Sequence, residues 1–318
     1  MEIPVYLFLG FLESGKTTFI QDTLQEDYFA DGQKTLVIAC EEGEEEYDDQ
    51  ILKEANCVIE TIEDEEEFTE ENLKQLLKKH TPERVMIEYN GMWNVADGID
   101  AIQDTNLLEL YQTIALVDAT TFEVYMNNMR SLAVEMFKYS EMVIMNRCTP
   151  EMDRGSYRRL IRSGNRQLQV MFEMADGYDD VPVEESLPYN MDLPKIELED
   201  DDYGIWYMDA MDHPERYDGK EIHMKAIVCK PPEFPKGLII PGRFAMTCCA
   251  DDIQFLGIMC KMEHVKSSTM KSVKNRDWIM LTAKIVCEYN EEYEGKGPVL
   301  YAERIEKAEK PEDDLIYF

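Results

Sequence analysis

The sequence predicts an α/β chain: a mainly parallel sheet with helices on both faces over residues 1–178, then a small all-β domain over residues 204–318. Three observations predict it. Short apolar runs rich in Val, Ile and Leu alternate with helical stretches through the first half, the pattern of strands buried on both faces. The first run leads into a loop that begins and nearly ends on glycine, Gly10 to Gly15. Beyond a stretch rich in proline and acid, the texture changes to strand-like runs without obvious helices.

In chain order, the first-half strands are expected at Ile3–Leu9, Thr35–Ala39, Arg84–Glu88, Thr113–Val117, Met142–Met145 and Leu168–Phe172. A helix is expected over Thr18–Gln25. Leu73, Leu76 and Leu77, spaced i, i+3, i+4 before Lys78 and Lys79, give another helix one apolar stripe. Phe122–Phe137 is a third. Thr149-Pro150-Glu151 should open a fourth, with Thr as cap, Pro at the first helical position and an acid beside the dipole. Pro182, Pro188, Pro194 and the acidic run Glu199–Asp202 mark residues 179–203 as a linker. Five strands follow, at Ile222–Cys229, Leu238–Cys248, Ile253–Lys261, Trp278–Tyr289 and Val299–Ile305, a number and spacing that suit an OB-like barrel.

Composition narrows the function classes. Acids outnumber bases 66 to 32, a formal net charge of -34 that repels nucleic acid and anionic membrane surfaces. No apolar run approaches the ~20 residues that span a bilayer, and the start lacks a signal-peptide pattern. A cytoplasmic chain is expected, its eight cysteines thiols or metal ligands rather than disulfides.

Gly10-Phe11-Leu12-Glu13-Ser14-Gly15-Lys16-Thr17 fits GxxxxGK[ST] between a strand and a helix, the context its chemistry requires. Backbone N–H groups in such a P-loop cradle phosphates, helped by the helix N-terminus. Lys16 should carry charge to the β- and γ-phosphates, Thr17 should offer its hydroxyl to Mg2+, and Thr18 follows in the helix. The expected ligand is a nucleoside triphosphate, GTP or ATP, with Mg2+. Hydrolysis needs an acid at a second strand end. Glu88 fits, directly or through water on Mg2+, with Gly91 placed for a backbone approach to the γ-phosphate; Asp118 is the rival. Guanine readers usually carry NKxD after a later strand. Here Asn146-Arg147-Cys148-Thr149 keeps the Asn and lacks the Asp, which weakens guanine preference.

At these residues the chain resembles the CobW family of P-loop GTPases, which act as metallochaperones or insert metals. GFLESGKTT is close to that family's GFLGAGKTT. Cys40 to Asp48 resembles its NExGxxGxD loop, matching at Glu41, Gly43 and Asp48, with Glu44 in the same switch loop. Ile87 to Gly91 parallels IExxG, and Leu116 to Ala119 parallels VVDA. The family's CxCC metal motif is reduced to Cys57, so that internal site is expected to be lost. Gly242 to Asp252 resembles the RFxxxCCxAD signature of a YcgQ-like C-terminal domain found with predicted permeases. Cys248, Cys249, Asp251 and Asp252, with Cys229, Cys260, Cys287, His223 or His264 as further candidates, could hold Zn2+; Arg243 could equally pair with Asp251 or Asp252. The resemblance implies a nucleotide switch, GTP favoured over ATP, in zinc-like metal homeostasis with a metal-receiving client; with no arginine finger identifiable in the sequence, its hydrolysis is expected to be slow. The alternative is a non-catalytic regulatory partner of a membrane permease.

Overall fold

The computed structural model describes residues 2–29, 31–165, 167–178, 187–231, 234–247, 252–290, 293, 295–311 and 313–317. The chain divides into two compact units, 1–183 and 184–318.

The first unit is built on eight strands: β1 Ile3–Leu9, β2 Thr35–Ala39, β3 Cys57–Thr61, β4 Arg84–Glu88, β5 Leu108–Asp118, β6 Met142–Cys148, β7 Gln169–Met174 and β8 Gly177–Tyr178. Their order across the sheet is β3-β2-β4-β1-β5-β6-β7-β8, parallel except for the β7–β8 pair. Every residue of β2 and β4 is buried, so both faces of the sheet are covered. Among the described residues, seven α-helices connect the strands: α1 Lys16–Gln25, α2 Asp49–Glu54, α3 Glu70–His80, α4 Val95–Asp104, α5 Phe122–Asn128, α6 Arg130–Tyr139 and α7 Arg154–Arg162. Helix α3 illustrates why they form. Thr69 caps it by accepting from the Asn72 N–H, Glu70 and Glu71 sit in its first turn, and Lys78, Lys79 and His80 in its last. Leu73 and Leu77 are its buried residues.

Three local expectations change. Strand β3 had not been expected; it is an edge strand whose burial falls off after Cys57, so it lacks the solid apolar run of its neighbours. The helix expected over Phe122–Phe137 breaks in two at Met129, which leaves helical geometry at φ -135. Thr149 does not cap a helix. Its carbonyl closes a turn with the Met152 N–H, and α7 starts at Arg154, its cap four residues beyond Thr149 at Asp153, which accepts from the Ser156 N–H at 3.0 Å.

The second unit contains β9 Lys195–Glu197, α8 Tyr203–Asp212, β10 Glu221–Cys229, β11 Leu238–Met246, β12 Gln254–Gly257, β13 Cys260–Lys261, α9 Ser267–Ser272, β14 Trp278–Asn290, β15 Gly295–Lys307 and β16 Leu315–Tyr317. Strand β9 lies inside the expected linker and pairs parallel with β10. Helix α8 had not been expected; Tyr203, Trp206, Met208 and Ala210 are buried around it, leaving little amphipathic period to read. The strand expected over Ile253–Lys261 is two short strands, β12 and β13. Strand pairings run β10–β11–β13–β15–β14 and back to β10, antiparallel except for β13–β15. Burial alternates residue by residue along β10, so Ile222, Met224, Ala226 and Val228 face the core. Leu281, Ala283 and Ile285 of β14 and Leu300 and Ala302 of β15 complete it. No helix among the described residues is long and apolar enough to cross a membrane.

Candidate functional site

The site forms at the carboxyl ends of β1, β2, β4, β5 and β6. Strand β1 ends at Leu9, and the chain turns through Gly10–Gly15 into α1. Gly10 adopts φ 143, and a Cβ there would lie 2.4 Å from the Leu116 carbonyl oxygen. Gly15 caps α1 in the left-handed region, φ 92, with no side chain bonded to the first turn. The N–H groups at the start of α1 thus lack a side-chain partner, which is the anion-binding arrangement of a P-loop.

Lys16 is 2% exposed. Its ammonium donates to the Gly10 and Phe11 carbonyls, both at 2.9 Å, and pairs with Glu41. Thr17 donates from Oγ1 to Glu88 Oε1 at 2.8 Å. The other Glu88 oxygen accepts from the Tyr47 hydroxyl at 2.6 Å. Burial pushes the Glu88 carboxyl up, against the opposing pull of its bonds from Tyr47 and Thr17. Gly91 lies against the loop so closely that a Cβ would sit 2.4 Å from the Gly10 carbonyl oxygen. A cleft of about 130 Å³ is lined by Gly15, Lys16, Thr17, Thr18, Glu41 and Glu88, among others.

The acidic loop after β2 is fastened to the same place. Glu13 Oε1 accepts from the Glu44 N–H at 2.7 Å, and a Cβ on Gly43 would fall 2.7 Å from that oxygen. Asp48 caps α2 through the Gln50 N–H, and its own N–H donates to Gln21 of α1. From the other side, Asn146 Nδ2 donates to the Ser14 carbonyl at 2.7 Å, and Arg147 donates to the Glu13 carbonyl at 3.0 Å while pairing with Asp118. Burial raises the Asp118 carboxyl, but hydrogen bonds from Thr120 and the Arg147 guanidinium more than offset it, so the group titrates low. Glu88, not the rival Asp118, is therefore the acid that meets Thr17.

The structure thus gathers Gly10, Glu13, Ser14, Gly15, Lys16, Thr17, Thr18, Glu41, Gly43, Glu44, Glu88, Gly91 and Asn146 around one loop, with Asp48 one contact further out at Gln21. Sequence reasoning missed two partners: Glu41 as counter-ion of Lys16, and Tyr47 as donor to Glu88. An aromatic residue embedded in the acidic run was the available signal for Tyr47.

The metal expectations fall elsewhere. Cys248, Cys249 and Asp251 lie outside the described residues. Asp252 accepts from the Thr247 N–H at 3.1 Å. Arg243 pairs with Asp200 at 2.7 Å and lies over the Trp278 ring; its expected partner Asp251 lies outside the described residues. Cys57 and Cys260 are core residues, their thiols pushed by burial up to about 11 and about 12. His223 bonds to Thr282. Among the described residues no group of three or more His, Cys, Asp or Glu side chains is arranged to hold a metal ion.

Loop, lysine, hydroxyl and strand-end acid together define a P-loop nucleotide-binding domain. Residues 4–172 match the CobW/HypB/UreG nucleotide-binding domain, and the chain belongs to that family. Residues 175–318 match the DUF1980 C-terminal domain. Among solved structures, Zn(II)-bound YjiA GTPase from E. coli is 18% identical, with 81% of this chain and 95% of that one covered at a TM-score of 0.45. A Zn(II)-bound triple mutant of YjiA GTPase is 19% identical, with 76% and 86% covered at 0.46. OBody NL8 bound to hen egg-white lysozyme covers 30% of this chain and 100% of its own, at 9% identity and 0.20. No curated protein matches the chain.

Proposed function

We propose that the chain binds GTP with Mg2+ in the cleft beside Lys16, hydrolyses it slowly, and serves as a cytoplasmic switch in zinc-like metal homeostasis. The observation that carries this reading is the meeting of the Thr17 hydroxyl and the Glu88 carboxylate at 2.8 Å, next to Lys16. Hydroxyl and carboxylate oxygens suit a small hard cation. When bound there, Mg2+ neutralises charge on the β- and γ-phosphate oxygens. The N–H groups at the start of α1 hold the phosphates, and Lys16 exchanges Glu41 for a phosphate oxygen. Glu88 and Thr17 would hold that Mg2+, Glu88 directly or through water, and the cation would offset the burial of the carboxylate. Gly91 lets its backbone approach the γ-phosphate. The loops around Glu41–Asp48 and Glu88–Gly91 both touch the phosphate loop, so they respond together to the nucleotide state.

We read residues 1–178 as the switch and 204–318 as the part that docks a metal-receiving client, joined through 179–203. The pairing order of β10, β11, β13, β15 and β14 supports an OB-like barrel, and the signature around Cys248–Asp252 supports a YcgQ-like identity with Zn2+ as cargo. The test is titration and turnover of GTP and ATP with Mg2+. Lys16→Ala should abolish binding and hydrolysis, and unchanged activity in that variant would refute the site. The second reading, a non-catalytic regulatory partner of a membrane permease, is favoured by the missing Asp after Asn146-Arg147. Tight nucleotide binding without turnover, with a permease co-purifying, would choose it.

A further inference from the structure

A second cavity, of about 400 Å³, adjoins the phosphate cleft and shares Gly15, Thr18 and Arg147 with it. A nucleotide whose phosphates rest on the start of α1 therefore has this cavity as the place for its base. Asn146 forms part of the wall. Its Nδ2 is spent on the Ser14 carbonyl, while its Oδ1 is buried without a partner among the described residues. The usual guanine-reading acid is absent: the fourth position of the Asn146 motif is Thr149, which is exposed and closes a turn. An acid reaches the cavity by another route. Strand β7 runs parallel to β6 with Met174 opposite Cys148, which sets Glu173 beside the end of the Asn146-Arg147-Cys148 segment. Glu173 lines the cavity, as do Asp22 of α1 and Tyr178 of β8. Burial, Glu173 and Asp22 together push the Tyr178 phenol up, in keeping with two carboxylates flanking it.

We propose that Glu173 reads the base: its carboxylate accepts the N1–H and the exocyclic N–H of a guanine seated beside Asn146 and Arg147. The inference rests on the GTP-binding reading above and names the residue that gives it specificity. The chemistry selects guanine over adenine. A carboxylate is an acceptor only, and guanine presents two adjacent donors on that edge. Adenine presents one donor beside an acceptor nitrogen, which a carboxylate repels. The acid has moved from the loop after β6 to the neighbouring strand, and the geometry of a parallel pair keeps it within the same cavity.

Calorimetric titration of the full chain with the Mg2+ complexes of GTP, ITP, XTP and ATP tests this. ITP lacks the exocyclic amine, and XTP carries a carbonyl in its place. Wild type should hold GTP about tenfold or more tighter than ITP or ATP. Glu173→Gln should lose about 10- to 100-fold in GTP affinity and come to prefer XTP, because the amide can donate to the new carbonyl. A Glu173→Gln variant that keeps the wild-type ratio of GTP to XTP overturns the assignment while leaving the phosphate site standing. So does an inversion produced by Asp22→Asn instead. A wild-type chain that binds no triphosphate defeats the GTP-binding reading itself, and this inference with it.

Discussion

Replacing Glu41 with Gln should make the nucleotide-free protein less stable and better at binding GTP. An ammonium group has three N–H donors. In Lys16 all three are engaged, by the Gly10 carbonyl, the Phe11 carbonyl and Glu41. A triphosphate must therefore take a donor away from one of them, and Glu41 is the acceptor that can swing aside, since the two carbonyls belong to the phosphate loop. A charge-assisted hydrogen bond contributes ~1.5–3 kcal/mol, so the competition lowers affinity by about 10- to 100-fold. Gln keeps a neutral acceptor of the same size and removes the competing charge. The Lys16 and Glu41 side chains are 1% and 9% exposed, so screening by solvent is slight. Loss of the counter-ion should cost the empty protein about 2 kcal/mol, below the range for a fully orphaned buried charge because the two carbonyls remain. For a unit of this size that is a fall in Tm of roughly 4–8 °C. Titration with a fluorescent GTP analogue and thermal melts of the empty protein supply both numbers. If Tm falls but affinity stays the same or weakens, Glu41 helps to hold the nucleotide and the competition argument fails.

Glu88→Gln should raise the Tm of the empty protein and abolish Mg2+-dependent hydrolysis. The folded-state pKa of Glu88 is raised, so the stability tied to its protonated form is present below the unfolded value and lost as pH rises through the folded one. The Tm gain of the variant should thus grow as pH rises above the ordinary carboxylate range, and a gain independent of pH would point away from Glu88. Gly91→Ala places a methyl 2.4 Å from the Gly10 carbonyl oxygen and 2.8 Å from the Phe11 Cα, both backbone atoms; a cost of ~1–3 kcal/mol and weaker GTP binding are expected, and a neutral result in both would remove Gly91 from the site. In the second unit, Asp200 pairs with both Arg243 and Lys225. Arg243→Met leaves Asp200 the Lys225 ammonium, whereas Asp200→Ala removes the carboxylate partner of a guanidinium whose residue is 1% exposed and leaves it the Asp313 carbonyl and the Trp278 ring, so urea unfolding should show the Asp200 variant to be the less stable by ~1–3 kcal/mol. Equal losses would mean the pair is not the reason for the burial.

What could be read in advance was what is local. The loop from Gly10 to Thr17 declares itself because every residue needed to bend the chain and charge it lies within eight positions. Glu88 was visible as an acid closing an apolar run. Strand β3 was not, because an edge strand with Ile59 and Glu60 partly in solvent carries no continuous apolar signal. Helix α8 escaped for the opposite reason: a helix buried on most sides has no polar face to set its period. Thr149 misled because a threonine before a proline fits a cap as well as a turn, and Asp153 offered the helix a cap one turn later. The Lys16–Glu41 and Tyr47–Glu88 contacts join residues 25 and 41 positions apart, respectively, through the sheet, and Arg243–Asp200 joins positions 43 apart. No motif spans such distances; only the strand order brings them together.

Strand β16 has a consequence for biosynthesis. All eight strands of the first sheet have been made once the ribosome passes Tyr178, so that unit can condense while the rest is still being translated. The other unit has no such head start. Its inner strand β11 takes its parallel neighbour from the far end of the chain, with Phe244 opposite Leu315 and Met246 opposite Tyr317. Until those residues leave the exit tunnel, that length of β11 presents unsatisfied amides and carbonyls to whatever is nearby. A stop codon or a protease cut just before Leu315 should therefore leave a folded nucleotide-binding unit attached to an aggregation-prone second unit.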